Sequence, residues 1–315
     1  MSEIPLRQAC LPARQGFGGQ GCFMENESTN QNIRNPNIEI LEKTAYDIRQ
    51  DVIKMLLEAK SGHPAGSLGM ADIFTALYFA VLNHNPKNPK WEDRDRLLTS
   101  NGHICPVVYA ALAHAGYFPR EELMTLRKIN SRLQGHPHYG TLPGIENTSG
   151  PLGQGLPQAI GMALASRMDK RRYFVFCTLG DGELDEGQVW EAVMFAGKNE
   201  LGNLIGIVDR NNIQIDGFTE HVMPLEPLKE KFESFGWHVQ EVDGHNIGAI
   251  IDVCSQAKAI FNQPSMIIAH TIPGKGVDFM EWQPGWHGKP PDPEQAKQAL
   301  HELRTLKGRI RSEYE

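Results

Sequence analysis

The chain has 315 residues, 40% of them hydrophobic and 22% charged, the composition of a globular protein with one large domain or two small ones. Its formal net charge of −7, with basic residues scattered along the chain, argues against nucleic acid as a main partner, because a phosphate-binding face needs clustered Lys and Arg. No apolar stretch approaches the roughly 18 residues of a membrane span, no N-terminal apolar segment reads as a secretion signal, and five widely spaced cysteines without a CxxC pair argue against zinc or a disulfide framework and fit a reducing cytoplasm.

Residues 1–37 carry Gly16, Gly18, Gly19 and Gly21 and then a polar stretch of Asn, Gln, Ser and Glu. Neither helical nor strand period is present, so they are read as a flexible extension. The Gly16–Gly21 segment resembles a phosphate loop only superficially, with no strand before it and no helix after it. From Ile38 onward, Ile40, Leu41, Ala45, Ile48, Val52, Met55, Leu56 and Ala59 recur at helical spacing, and Ser61-Gly62-His63-Pro64 ends that helix. A second helix is predicted over Met70–Leu82, a short buried strand over Arg96–Ser100 and a helical piece over Ala110–Ala115. Apolar strands are predicted at Tyr173–Leu179, Leu204–Val208, Trp237–Val242 and Met266–His270. Helices such as Glu186–Lys198 and Ile247–Phe261 lie between them, and a last helix covers 293–312. Continuous apolar strands alternating with helices imply an α/β fold, a parallel sheet with helices on both faces, formed by residues 38–315 as one domain. In such sheets ligands bind beyond the carboxyl ends of the strands.

Two motifs fall at those ends. Gly180-Asp181-Gly182 follows the first long strand; its glycines allow a sharp turn and close approach to a ligand, and Asp181 offers a carboxylate to a hard cation. A helix begins just after, so its N-terminal N–H groups favour an anion at the same place. The alternative is a plain strand-to-helix turn, for which Asp and Gly are common. The next strand ends in Asp209-Arg210-Asn211-Asn212-Ile213, which puts Asn211 beside Asp181 if the two strands are neighbours. One carboxylate, one amide oxygen and a backbone carbonyl leave an octahedral shell incomplete, and Mg²⁺ usually completes it with phosphate oxygens and water.

A further glycine-rich loop, Thr148 to Gly155, precedes a helix of small residues and suits either close ligand contact or tight packing on a neighbouring helix. Four histidines stand beside Gly or Pro in loops: His63, His103, His136 and His287. Imidazoles there can bind diphosphate oxygens, orient sugar hydroxyls or move protons near neutral pH. His84, His114, His138, His221, His238, His245, His270 and His301 are read as structural or surface residues.

At these positions the chain resembles the transketolase family. The similarity runs from about Ile38 to the C-terminus and includes, in the family's order, SGHPAGSLGMADI, DRLLTSNGH, LQGHP, LPGIENTSGPLGQGL, GDGELDEGQVWEA, NLIGIVDRNNIQIDG and PGWHGKP. The resemblance implies thiamine diphosphate with Mg²⁺ or Ca²⁺ as cofactors. It implies Asp181, Asn211 and the Ile213 carbonyl as metal ligands. His103, Gly150, Pro151, Leu152, Gly182, Asn211, Ile213 and His287 would contact the cofactor, mostly its diphosphate. His63, His136 and His287 would face a sugar phosphate substrate, and Glu186 and Glu191 would lie near a subunit interface. Departures from the family pattern, Asn147, Pro157, His138 and Tyr139, gather near the sugar-facing loop. A complete transketolase carries a pyrimidine-binding domain and a third domain beyond this one. The resemblance is therefore to the N-terminal subunit of a split enzyme, transferring a two-carbon ketol unit together with a C-terminal partner subunit, as a heterotetramer. The cofactor half of 1-deoxyxylulose-5-phosphate synthase or of a 2-oxo acid dehydrogenase is the alternative, or a non-catalytic cofactor-binding protein. The histidines of the GHP segments and PGWHGKP favour transketolase.

Overall fold

The computed structural model describes residues 36–305, and everything below concerns the unit that starts at Pro36. The extension predicted over 1–37 lies outside the described residues except for its last two.

Helix α1 spans Ile38–Ala59, opened by the Asn37 side chain accepting from the Ile40 N–H and closed by Lys60 in left-handed conformation. Helix α2 (Pro64–Gly69) begins with proline at its first position, where no N–H is needed. Thus Ser61–Pro64 ends one helix and also starts another. Helix α3 (Ala71–Ala76) follows and widens into a looser turn over Leu77–Val81, so the single helix expected over Met70–Leu82 is a composite. Strand β1 (Arg96–Thr99) leads to α4 (Cys105–His114). Only the second half of α4 was legible as a helix, because it is buried on nearly all sides and has no polar face to give it a period. The remaining elements are α5 (Gly155–Met168), β2 (Val175–Gly180), α6 (Gly187–Lys198), β3 (Leu204–Arg210), the small hairpin β4 (Ile213–Gln214) and β5 (Gly217–Phe218), and α7 (Thr219–Val222). After these come α8 (Leu228–Ser234), β6 (His238–Asp243), α9 (Ile247–Lys258), β7 (Ser265–His270) and α10 (Pro293–Thr305). The predicted last helix beyond 305 lies outside the described residues.

Five strands form one sheet in the order β1-β2-β3-β7-β6, every pair parallel. Side chains alternate between two cores. Phe176, Ile205, Ile207 and Ile267 face a cluster built with α1, α3, α4, α9 and α10. Val175, Cys177, Leu179, Leu204, Val208 and Ile268 face one built with α5, α6 and α8. Both faces are thus covered, as the unbroken apolar strands required. Among the described residues no helix is long and apolar enough to cross a membrane.

One glycine fixes how closely α6 approaches the turn before β6. A Cβ on Gly197 would lie 1.8 Å from the Phe235 carbonyl oxygen, and the same contact is held by the Trp237 indole donating to the Val193 carbonyl at 2.9 Å. Gly197→Ala must therefore push backbone against backbone. A loss of about 2 kcal/mol is expected, a fall in Tm of roughly 4–8 °C. Gly161→Ala on α5, where a Cβ meets nothing within 4 Å, should leave Tm unchanged or raise it. Calorimetry of the two variants checks the pair.

Candidate active site

Strands β2 and β3 are neighbours, with Gly180 opposite Asp209. That register brings the turn after β2 and the segment after β3 together at the carboxyl edge of the sheet. Asp181 accepts from the Gly182 N–H at 2.8 Å through one oxygen, and from the Asn212 N–H at 2.7 Å and Arg210 at 3.0 Å through the other. Asp181 is almost wholly buried, 1% exposed. Burial pushes its carboxyl up to about 6 against the lowering pull of Arg210. Asn211 donates to Asp209 at 2.8 Å and accepts from the Ile213 N–H at 3.0 Å. Asp209 is buried, shares a short hydrogen bond with the Thr271 hydroxyl, and is pushed up to about 7, chiefly by burial and with Asp181 adding to the rise.

Among the described residues no group of three or more His, Cys, Asp or Glu side chains is placed to hold a metal ion by itself. The donor set of Asp181, Asn211 and the Ile213 carbonyl is of another kind: few, hard and all oxygen. It fits Mg²⁺ or Ca²⁺ that shares a bound phosphate.

Three histidines far apart in sequence meet beside this corner. Ring centroids are 5.2 Å apart for His63 and His103, 5.6 Å for His63 and His287, and 5.2 Å for His103 and His287. His63 precedes α2, His103 lies in the turn after β1, and His287 follows the turn over Pro284–Trp286. Glycine allows the closure: a Cβ on Gly288 would already be 3.3 Å from the His63 ring. His136 completes the group from a separate loop, 3.5 Å from where a Cβ on Gly150 would stand; Gly150 has φ +133 and tolerates that conformation because it has no Cβ. Burial depresses all four imidazoles. His63 is lowered to about 4, with the positive charge of Arg127 and the neighbouring imidazoles adding to the effect. Each ring is therefore neutral near pH 7, offering one N–H donor and one acceptor.

Pro151 and Leu152 are exposed in the loop before α5, and Gly182 begins the turn after Asp181, where a Cβ would meet the Gln214 side chain at 2.8 Å. Several buried polar atoms near this edge have no hydrogen-bond partner among the described residues: His63 Nδ1, Asn101 Nδ2, Ser149 Oγ and Gln214 Nε2. Buried polar atoms of native folds are almost always satisfied, so such a group marks a place for a polar ligand. Glu186 and Glu191 are exposed on and just before α6.

Sequence reading missed four contributors. Glu183 is buried behind the Gly180–Gly182 turn. Arg127 donates to Ser61 at 2.6 Å and to the Gly135 carbonyl at 3.1 Å, tying the His63 loop to the His136 loop. Arg210 and Asn101 complete the set. Only Glu183 gave a signal, an acidic residue directly after the Gly-Asp-Gly turn. Of the other histidines, His84 meets Tyr117 and the Tyr78 carbonyl, His114 meets Asp51, His245 meets Asp72, and His270 meets Glu241.

A parallel-sheet domain with hard oxygen donors and neutral histidines at one edge is a domain for a phosphate-bearing cofactor. Residues 40–305 match the family described as transketolase, thiamine diphosphate binding domain. The chain belongs to that family. It is 45% identical over 263 residues to the 6-deoxy-6-sulfo-D-fructose transketolase subunit of Clostridium sp. (strain MSTE9), covering 84% of this chain and 96% of that one. It is 39% identical to an apulose-4-phosphate transketolase subunit of Phocaeicola vulgatus, covering 84% of this chain and 94% of that one. A crystal structure of Pichia stipitis transketolase in complex with sedoheptulose 7-phosphate superposes with a TM-score of 0.80 at 36% identity, over 84% of this chain and 41% of the other. The chain thus spans about two fifths of the solved transketolases that it matches.

The depressed histidines have a thermodynamic signature. An unfolded histidine takes its proton near pH 6.5, whereas folded His63 takes it only near 4. As pH falls through that window the unfolded state binds more protons, so stability is lost, at most about 1.4 kcal/mol per pH unit for each withheld proton and less for part-exposed His63. Asp181 and Asp209, with raised values, act in the opposite sense. The comparison with a variant carrying His63→Gln, His103→Gln and His287→Gln isolates the histidines: wild type should lose stability relative to it between pH 6.5 and 4, measured by denaturant titration.

Proposed function

We propose that this chain is the diphosphate-binding subunit of a two-chain transketolase that moves a two-carbon ketol unit from a ketose to an aldose, phosphorylated sugars being the substrate class. One observation supports the reading above others. The chain covers nearly all of relatives named as transketolase subunits but only 39% of the Buchnera aphidicola transketolase, to which it is 43% identical. In this reading the missing walls of the site come from a partner subunit with a pyrimidine-binding domain, the whole assembling as a heterotetramer in the cytoplasm and serving carbohydrate metabolism of the pentose phosphate type.

Within the proposal Asp181, Asn211 and the Ile213 carbonyl hold Mg²⁺ or Ca²⁺. His103, Gly150, Pro151, Leu152 and Gly182 line the diphosphate of thiamine diphosphate. When bound, the cofactor supplies the nucleophilic carbon and the electron sink for carbon–carbon cleavage. His63, His136 and His287 face the sugar. As neutral imidazoles they orient hydroxyls and can accept a proton from one, while Arg127 keeps the His63 and His136 loops in register. Burial excludes water from the same space, which strengthens each hydrogen bond.

Mixing decides the proposal. The purified chain alone should show no ketol transfer above background; with the partner subunit, thiamine diphosphate and Mg²⁺, activity should appear. Robust transfer by the isolated chain would refute the two-chain reading. In the reconstituted enzyme, Asp181→Ala should weaken metal-dependent cofactor binding by about tenfold or more, roughly 1.4 kcal/mol. His63→Ala and His136→Ala should instead lower turnover by about 10²–10⁴ while cofactor affinity stays near wild type, read by quenching of tryptophan fluorescence.

A further inference from the structure

We infer that Glu183 is a positioning residue, a buried carboxylate that clips three loops into the cradle for the cofactor's diphosphate. The inference rests on the cofactor reading above and deepens it.

Glu183 is 2% exposed. One carboxylate oxygen accepts from the Gly153 N–H at 2.7 Å and takes a short hydrogen bond from the Ser100 hydroxyl; the other accepts from the Gly180 N–H at 3.0 Å. Ser100 in turn accepts from the Gly155 N–H at 2.9 Å. A directed chain results, from the first turn of α5 through the serine to the carboxylate. Its donors belong to the segment after β1, the loop before α5 and the end of β2. Those same segments carry His103, Gly150 to Leu152, and Asp181 with Gly182.

Packing leaves this carboxylate little freedom. A Cβ on Gly155 would be 2.4 Å from Ser100, and one on Gly102 would be 2.2 Å from the Ser149 hydroxyl. The loops lie backbone on side chain, with no room to slide. Parallel strands leave the N–H and C=O groups beyond their ends unpaired, and the pairing of β1 with β2 ends at Thr99 opposite Thr178, short of Gly180. Glu183 supplies an acceptor where the sheet's own ladder gives out. Two backbone N–H groups and one hydroxyl converge on it, so the position requires an acceptor at both oxygens. An amide cannot provide that, because its NH₂ would face an N–H donor.

The mechanism above gives Glu183 no contact with the sugar. Its loss should therefore appear in cofactor affinity and not in turnover. Glu183→Gln in the reconstituted enzyme is expected to raise the Kd for thiamine diphosphate with Mg²⁺ by about tenfold or more, with kcat at saturating cofactor within about twofold of wild type. Ser100→Ala, which removes one arm of the clip, should raise Kd by a smaller factor. It also serves as the test if Glu183→Gln fails to fold. Tryptophan fluorescence titration gives Kd without reference to activity. Unchanged Kd in both variants, or a fall in kcat at saturation equal to that in kcat/KM, would overturn the assignment. If the wild-type enzyme itself does not bind thiamine diphosphate, the cofactor reading fails instead, so the two failures are distinguishable.

Discussion

The site depends on the side-by-side pairing of β2 and β3. Parallel pairing with Gly180 opposite Asp209 fixes the ends of the two strands at one level, and Asp181 adds its own N–H to the Asp209 carbonyl at 3.2 Å. A register slip by one residue would turn every side chain to the other face and carry Asp181 away from Asn211. The two apolar cores exclude such a slip, since Cys177 and Leu179 are matched to one side and Phe176 to the other. Hydrophobic patterning along the strands thus sets the position of a polar corner that contributes nothing to the core.

That corner carries charge in a place that resists it. Asp181 is held by Arg210, which is 3% exposed and also reaches Thr219, Glu220 and Glu226. Removing Arg210 would leave the buried Asp181 charge without its cation, a loss of roughly 3–5 kcal/mol, whereas removing Asp181 leaves Arg210 with Glu220 and Glu226. Asp209 is pushed up by burial, and the negative charge of Asp181 adds to the rise. Asp181, paired with Arg210, and Asp209, hydrogen-bonded to Thr271 and Asn211, are thus both pushed up by burial, which limits the negative charge that the fold must bury.

Much of this was legible in the sequence. Short continuous apolar runs marked the strands and a period of about 3.6 marked α1, while the Gly-Asp-Gly and Asn-Asn segments marked the strand ends, because turn chemistry there is local. The four loop histidines stood out by their Gly and Pro neighbours, yet their meeting is a property of the fold: residues 63, 103 and 287 come together only when α2, β1 and the last loop are packed. Burial was not legible either. Asp181 reads as a polar turn residue, and nothing local announces that Arg210, two strand positions from Val208, will close over it. Helices such as α4, apolar on every side, lost their boundaries for the same reason: periodicity needs a polar face to be visible.

Unpartnered polar atoms at the same edge point beyond the chain itself. His63 Nδ1, Asn101 Nδ2, Ser149 Oγ and Gln214 Nε2 are buried without a hydrogen bond among the described residues. Each such atom costs a fold about 1–3 kcal/mol, and a domain has only some 5–15 kcal/mol of stability in total. Four such atoms gather at one edge of the sheet. A ligand that binds the folded state and satisfies them returns that free energy as affinity and as added stability. The polar atoms left unmatched at the carboxyl edge stand beside oxygen-bearing side chains and imidazoles in a domain whose family is described as binding thiamine diphosphate.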